Sequence, residues 1–400
     1  MKYIVVLGDG MADEPIAALE NKTPLAWAKT PNLDRLSRLS ELGMVHTIPE
    51  GMKPGSDIAN LAVLGYNPEK YYSGRSPLEA LSIGVPMKET DIAIRCNIVT
   101  LSEEEDPFEE KRMIDHSASE ISTEDCAVLL REIEEQLADE IYQFYVGTSY
   151  RHCLIWNGGK VVELTPPHDI LGEKIGQYLP EDKVLREMTE RSYHILANHP
   201  LNLERKKKGL NPANCCWFWG AGTKPALTSF QEKTGKKGMM VSAVDLLKGI
   251  GVGAGMGVAY VEGANGGLHT NYTGKVEAAV NALTREGYDF AYIHLEAPDE
   301  MGHQGSVEKK VQAIEYLDEK VVGPLAAMME AAGEDFRLLV LPDHPTPVRV
   351  RTHTSESVPY MLYDSTRPLR HECSYNEEEC GKTGKVVVQG YRLIDKFLAV

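Results

Sequence analysis

Apolar residues along this chain fall into short continuous runs that alternate with stretches of helical spacing. Residues 2–7 (KYIVVL) form such a run, closed by Gly8-Asp9-Gly10, which predicts a buried strand ending in a tight turn. Residues 30–43 (TPNLDRLSRLSELG) place leucines at helical spacing and stop at a glycine, which predicts a helix. Ser56-Asp57 stand immediately before a helical run over 58–64, so Ser56 is expected at a loop-to-helix junction, where backbone N–H groups point outward.

The middle of the chain has a different texture. Residues 101–112 (LSEEEDPFEEKR) read as a solvated loop, followed by a helix (TEDCAVLLREIEEQL) and strands in YQFYVG and RHCLIWNGG. A long helix ending near His199 and the basic run ERKKKG, read as a solvated helix end, complete this region. From about residue 238 the α/β rhythm resumes. MMVSAVDLLKGIGVGAG predicts a strand and a helix; VAYVEGANG, YDFAYIHLEA and DFRLLVLPDH predict strands; 273–286 and 306–333 predict helices. Short apolar runs alternating with helices imply an α/β fold with a mainly parallel sheet flanked by helices. The change of texture divides the chain into a catalytic domain in two pieces, 1–94 and 232–400, and an inserted smaller α+β domain, 95–231.

The 400 residues suffice for two ordinary domains, and 42% of them are apolar, enough for a sizeable core. With 42 basic and 59 acidic residues the formal charge is −17, which argues against nucleic acid or an anionic membrane as partner. An anionic small molecule stays open, because metals and a few arginines invert the field inside a pocket. The Ile4–Leu7 run is too short for a signal-peptide core, and no other apolar stretch reaches the length of a spanning helix. Seven cysteines without metal-ligand spacing read as reduced thiols, so a cytoplasmic location is expected.

The candidate chemistry lies where oxygen and imidazole groups fall against predicted strand ends. Asp9 follows the first strand; Asp299 and His303 follow YIHLEA; Asp343 and His344 follow RLLVLP; His353 lies shortly after, in RTHTSESVP. In an open α/β sheet the carboxyl ends of the strands are where ligands bind. Asp299 and His303 are four apart and share a face if the segment is helical. Carboxylate with imidazole suits Mn²⁺ or Zn²⁺, with Mg²⁺ also open. Two such ions can clamp the oxygens of a phosphoryl displacement and activate a serine hydroxyl. Each motif alone is commonplace; their order at successive strand ends carries the case.

The set LGDGMAD, KPGSDIANLAVLGY, YYSGRSPLEALSIG, APDEMGH, LPDH and THT resembles the alkaline phosphatase superfamily. More narrowly it resembles the archaeal-type 2,3-bisphosphoglycerate-independent phosphoglycerate mutases, along nearly the whole chain, including NHPLNLERKKKGLNPAN and WGAGTKP. The resemblance implies an alkaline-phosphatase-like catalytic domain and interconversion of 3- and 2-phosphoglycerate, a glycolytic step, without 2,3-bisphosphoglycerate. It implies Ser56 as nucleophile and a phosphoserine intermediate. One divalent ion would be held by Asp9, Ser56, Asp343 and His344, the other by Asp299, His303 and His353. The inserted domain would close over a small phosphorylated hydroxy-acid and supply positive groups to it.

The chain departs from the family where the substrate is gripped. A stretch of the kind DRRAGR is here Asp115-His116-Ser117-Ala118-Ser119-Glu120, and an arginine expected before the GAG turn is Trp219. Arg151 and Lys275 match a pattern arginine and lysine; His116, Arg95 and Arg75 are further substrate-contact candidates. Fewer arginines admit two other readings: a homoserine kinase of the same family, and a metal-dependent phosphatase in which water takes the phosphate. A kinase needs a nucleotide site, and no GxxxxGK[ST] is present; the glycine-rich 249–257 lacks the Lys-Ser/Thr and reads as a helix turning into a strand. A non-catalytic scaffold would not be expected to keep the whole ligand set.

Overall fold

A computed structural model describes residues 1–399 of the chain. Thirteen strands occur in it: β1 (Lys2–Gly8), β2 (Ser40–Val45), β3 (Ile92–Leu101), β4 (Met113–Asp115), β5 (Tyr142–Thr148), β6 (Arg151–Trp156), β7 (Cys215–Thr223), β8 (Gly238–Val241), β9 (Gly257–Val258), β10 (Phe290–Leu295), β11 (Phe336–Leu341), β12 (Val358–Asp364) and β13 (Val386–Val387). The chain divides into two compact units, one formed by Met1–Tyr72 with everything from Ala226 onward, the other by Ser73–Pro225.

The first unit is built on an eight-stranded sheet in the order β13-β2-β12-β11-β1-β10-β8-β9. Every pairing is parallel except the two made by β12. The central strands β1, β10 and β11 are buried on both faces, so their sequences are apolar almost throughout. Ile4, Val6, Ala291, Ile293, Leu338 and Val340 pack on one face against the helices Tyr272–Thr284, Val307–Leu317 and Gly323–Ala331. Each fully buried aliphatic side chain contributes about 1.5–3 kcal/mol. Side chains alternate along a strand, so Tyr292 and His294 of β10 point to the opposite face.

The second unit is an antiparallel sheet centred on β3, which pairs with β6, β7 and, at its far end, β4; β5 lies beyond β6. The helices Thr123–Leu137 and Lys183–Leu196 cover it through Cys126, Leu129, Ile133, Leu185, Met188 and Leu196. The basic run lies at the end of a separate helix, Pro200–Lys207. Among the described residues no helix is long and apolar enough to cross a membrane.

Three sequence expectations need correction. The helix expected over 30–43 covers only Pro31–Ser37, and Ser40–Val45 is β2. Local spacing favours a helix there, but β2 pairs with β12, more than 300 residues later, and Gly43 lies against the Tyr360 ring, where a Cβ would come within 2.7 Å. The strand expected over 258–266 is reduced to Gly257–Val258, because β9 sits at the sheet edge with only β8 beside it and then leaves. Tyr260 just beyond is 90% exposed. The boundary at 94/95 would cut β3. Residues 73–94 belong with the second unit, where the helix Arg75–Ser82 packs on β3 and β7. Residues 226–231 belong with the first, where Phe230 meets Phe290 at 4.6 Å between ring centroids.

Candidate active site

The parallel strands of the first unit end at one edge, and the titratable groups named above stand there. Asp9 follows β1, in a turn whose Gly10 has φ +60°; a Cβ on Gly10 would lie 2.6 Å from Asp299 Oδ1 and 2.8 Å from its Cα. Only glycine lets the turn approach Asp299 so closely. Gly10 N–H in turn donates to Asp343 Oδ1 at 3.0 Å. Asp299 and His303 lie on the short helix Ala297–His303 after β10, and Asp343 and His344 follow β11. His353 comes from the loop before β12. Ser56 opens the helix Ser56–Val63.

Two convergent groups result. Asp9, Asp343 and His344 each bring a donor atom within 4.8 Å of the others, and all three are buried. Ser56 Oγ lies 3.0 Å from His344 Nε2, which is 3.3 Å from Asp343 Oδ2 and 3.6 Å from Asp9 Oδ1. The second group is Asp299, His344 and His353. His303 joins it: its Nε2 is 3.2 Å from Asp299 Oδ2 and 3.0 Å from His353 Nε2, and His353 Nε2 is 3.4 Å from Asp299 Oδ1. The His344 and His353 rings, 4.0 Å apart between centroids, join the two groups. Thr346 donates its hydroxyl to Asp299 Oδ1 at 2.5 Å, and the Arg351 carbonyl faces His303 Nδ1 at 2.9 Å.

The electrostatics set the two groups apart. Burial, with Asp343 and Asp299 nearby, pushes the Asp9 carboxyl well above its ordinary range. Burial also opposes ionisation of Asp299, but hydrogen bonds from His303 and His353 outweigh it and hold that carboxyl well below its ordinary range. The Asp299 hydrogen bond raises His303 to about 9, and burial lowers His344. Asp9 Oδ1 is buried without a hydrogen-bond partner. An orphaned carboxylate oxygen among converging carboxylates and imidazoles is a poor arrangement in itself and a good one for a divalent cation. The donor set therefore fits two cations, with Ser56 beside one.

Several contributors were not anticipated from sequence. Asn60, one turn after Ser56, donates to Asp343 Oδ2 at 2.9 Å and to the Ser56 carbonyl at 2.8 Å. Tyr292 donates to Asn60 Oδ1 at 2.5 Å; His294 Nε2 is 2.7 Å from Asp9 Oδ2, and its Nδ1 is 3.1 Å from Ser242 Oγ. The available signal was the pair of polar rings at alternating positions of an otherwise apolar strand.

The substrate-contact candidates are divided between the units. Lys275 belongs to the first unit: it is buried and donates to the His294 carbonyl at 3.0 Å, and burial, opposed by Glu296, lowers it to about 8. The others lie in the second unit. Arg75 Nε meets Glu79 Oε1 at 2.8 Å; Arg95 Nε is 3.1 Å from Glu79 Oε2, close enough for an ion pair but not aligned as a hydrogen bond. Arg95 also stacks over Trp219 at 4.2 Å. Exposed Arg151 lies 5.2 Å from the Tyr150 ring centroid, and His116 meets Tyr150 at 5.8 Å and His168 at 6.2 Å. His168, 5.2 Å from Trp219, is a further member of this cluster that the sequence did not single out.

The chain is similar to known proteins along nearly its whole length. A family profile described as 2,3-bisphosphoglycerate-independent phosphoglycerate mutase matches residues 37–202. The 2,3-bisphosphoglycerate-independent phosphoglycerate mutase of Methanosarcina mazei is 46% identical over 391 residues, covering 96% of each chain. A solved protein from Pyrococcus horikoshii is 27% identical with TM-score 0.82, covering 99% of this chain and 96% of that one. The cofactor-independent phosphoglycerate mutase from Thermoplasma acidophilum is 26% identical with TM-score 0.65, covering 100% of this chain and 99% of that one. Near-complete coverage at 46% identity, on a chain that gathers Asp9, Asp299, Asp343 and three histidines at one edge of its sheet, means that the chain belongs to the 2,3-bisphosphoglycerate-independent phosphoglycerate mutases.

Proposed function

We propose that this chain interconverts 3- and 2-phosphoglycerate, with Ser56 as the covalent nucleophile and no bisphosphoglycerate cofactor. The observation that carries the reading is Ser56 Oγ, 3.0 Å from His344 Nε2 and beside the buried Asp9–Asp343–His344 group. One cation would be held by Asp9, Ser56, Asp343 and His344, the other by Asp299, His303 and His353. Imidazole with carboxylate suits Mn²⁺ or Zn²⁺, and Mg²⁺ fits the oxygen donors. When bound, such ions supply positive charge to the transferring phosphoryl group and lower the cost of ionising the serine hydroxyl.

The steps assigned to the chain itself are these. Ser56 Oγ attacks phosphorus; the Ser56 O–P bond forms as the substrate P–O bond breaks. The proton lost from the serine is the one the departing glycerate oxygen needs. Glycerate reorients, its neighbouring hydroxyl attacks the phosphoserine, and Ser56 is regenerated. The Ser73–Pro225 unit would supply the groups that grip phosphate and carboxylate, with Arg151 and His116 as its contacts and Arg75 and Arg95 held on Glu79. Lys275 is assigned to substrate from the first unit. A small phosphorylated acid in the cytoplasm is thus the expected partner.

Pairing of two arginines with Glu79 reduces the positive charge available for a substrate that carries both a phosphate and a carboxylate, which keeps phosphorylation of homoserine as a second reading. Metal-free protein reconstituted with Mn²⁺ should interconvert the two phosphoglycerates. No turnover of 3-phosphoglycerate under Mn²⁺, Zn²⁺ or Mg²⁺, with ATP-dependent phosphorylation of homoserine instead, would replace the mutase by the kinase. Release of inorganic phosphate alone would replace it by a phosphatase.

A further inference from the structure

β10 carries two polar side chains on one face, and both lead to carboxylates of the same cation group. His294 is fully buried, with Nε2 2.7 Å from Asp9 Oδ2 and Nδ1 3.1 Å from Ser242 Oγ. A carboxylate that ligates a cation is ionised and only accepts, so in the cation-bound protein Nε2 would carry the proton and Nδ1 would be bare. Ser242 then donates to Nδ1, while its Oγ accepts the Val244 N–H at 3.0 Å. The orientation of the ring is thereby fixed from both sides. Two residues earlier, Tyr292 donates to Asn60 Oδ1 at 2.5 Å, and Asn60 Nδ2 donates to Asp343 Oδ2 and the Ser56 carbonyl. Turning the Asn60 amide over would set its oxygen against two acceptors and its NH₂ against the hydroxyl, so this orientation is fixed as well.

The consequence lies in the oxygens left open. Asp343 Oδ1 already accepts from Gly10 and His344 backbone N–H groups. Oδ2 accepts from Asn60 and keeps a lone pair 3.3 Å from His344 Nε2. Asp9 Oδ2 is occupied by His294, leaving Oδ1 without a partner, 3.6 Å from the same His344 nitrogen. Both hydrogen-bond chains therefore turn an open carboxylate oxygen toward His344. They are buried in a strand whose other residues are apolar, a location where polar groups are costly unless they serve one another.

We infer that β10 is a positioning strand: His294 with Ser242, and Tyr292 through Asn60, aim Asp9 and Asp343 and set cation affinity at the Asp9–Asp343–His344 group but not at the Asp299–His303–His353 group. Outer hydrogen bonds of this kind commonly change metal affinity 10–100-fold. This inference rests on the two-cation reading above. It assigns Tyr292, His294, Asn60 and Ser242 a positioning role, with no contact to substrate.

The test is calorimetric titration of metal-free full-length protein with Mn²⁺. Asp9→Asn and Asp299→Asn identify which binding step belongs to which group. Tyr292→Phe and Ser242→Ala each remove one hydroxyl and leave the packing in place; His294→Leu removes the imidazole. If His294→Leu does not fold, the two hydroxyl variants carry the test. The expected result is a Kd raised about 10–100-fold in the step lost by Asp9→Asn, with the other step within twofold of wild type. Unchanged affinity in both hydroxyl variants, or equal weakening of both steps as a loosened core would produce, overturns the inference. Wild-type protein that binds fewer than two Mn²⁺ overturns the two-cation reading, and this inference with it.

Discussion

Ser56 Oγ lies 3.0 Å from His344 Nε2 at the start of the helix Ser56–Val63, so the hydroxyl stands at the carboxyl edge of the parallel sheet. The hydroxyl does not cap its own helix; in the first turn it is Asp57 Oδ1 that accepts the Ile58 N–H, at 2.9 Å. Ser56→Ala therefore removes the proposed nucleophile and little else. Its turnover of 3-phosphoglycerate should fall by several orders of magnitude, while the circular dichroism spectrum and melting temperature stay near wild type. Wild-type-like turnover in that variant removes the covalent step.

Cations should stabilise the first unit measurably. In metal-free protein, Asp9 is held back from ionising by burial and by Asp343 and Asp299. A cation that binds only the folded state adds about 2.7 kcal/mol at 100 times its Kd. Added Mn²⁺ should raise the melting temperature of chelator-treated protein by several degrees, and Asp343→Asn should abolish a large part of that rise. Equal Mn²⁺-induced shifts in wild type and Asp343→Asn would show that the ion binds elsewhere.

Glu79 is the anchor for two arginines of the second unit. Arg95 is nearly buried, and Glu79 stays ionised despite its own burial because Arg95 and Arg75 outweigh it. Glu79→Leu leaves the Arg95 guanidinium without its counter-charge and should cost about 3 kcal/mol in denaturant unfolding. Glu79→Leu combined with Arg95→Met should recover most of that loss, since the buried charge goes with its partner. A double variant as unstable as the single one would mean that Trp219 stacking on Arg95, not the ion pair, carries the energy.

The legible parts of the fold are those whose cause is local. β1, β10 and β11 are central parallel strands, apolar on both faces, and the candidate cation ligands follow them directly, so a reading of strand ends finds Asp9, Asp299, His303, Asp343 and His344. β2 was not legible, because Ser40–Val45 becomes a strand only through pairing with β12 across the chain. Asn60 hides inside an apolar helical run and has meaning only once Tyr292 and Asp343 meet it in space. Arg75 and Arg95 look alike in sequence to arginines that bind anions; Glu79 distinguishes them, through an i,i+4 pair with Arg75 inside one helix and a pair with Arg95 that spans a helix and a strand.

The second unit also contains a titrating group away from the cation ligands. His152 is buried on β6; its Nδ1 accepts the Gly147 N–H at 3.0 Å, so the proton of the neutral ring sits on Nε2, 2.9 Å from Cys126 Sγ. Burial lowers its pKa from 6.5 to about 4. Between those values the unfolded chain binds a proton that the folded chain refuses, so stability rises with pH across the window and is lost as pH falls from 6.5 toward 4. At pH 4.5 the loss from this residue alone is about 2.5 kcal/mol relative to pH 7. His152→Asn keeps an acceptor for Gly147 and abolishes the titration. Urea unfolding at pH 7 and pH 4.5 should show a smaller pH-dependent loss in that variant than in wild type, by roughly that amount. Identical losses in the two proteins would mean that His152 takes up its proton as readily in the folded chain as in the unfolded one.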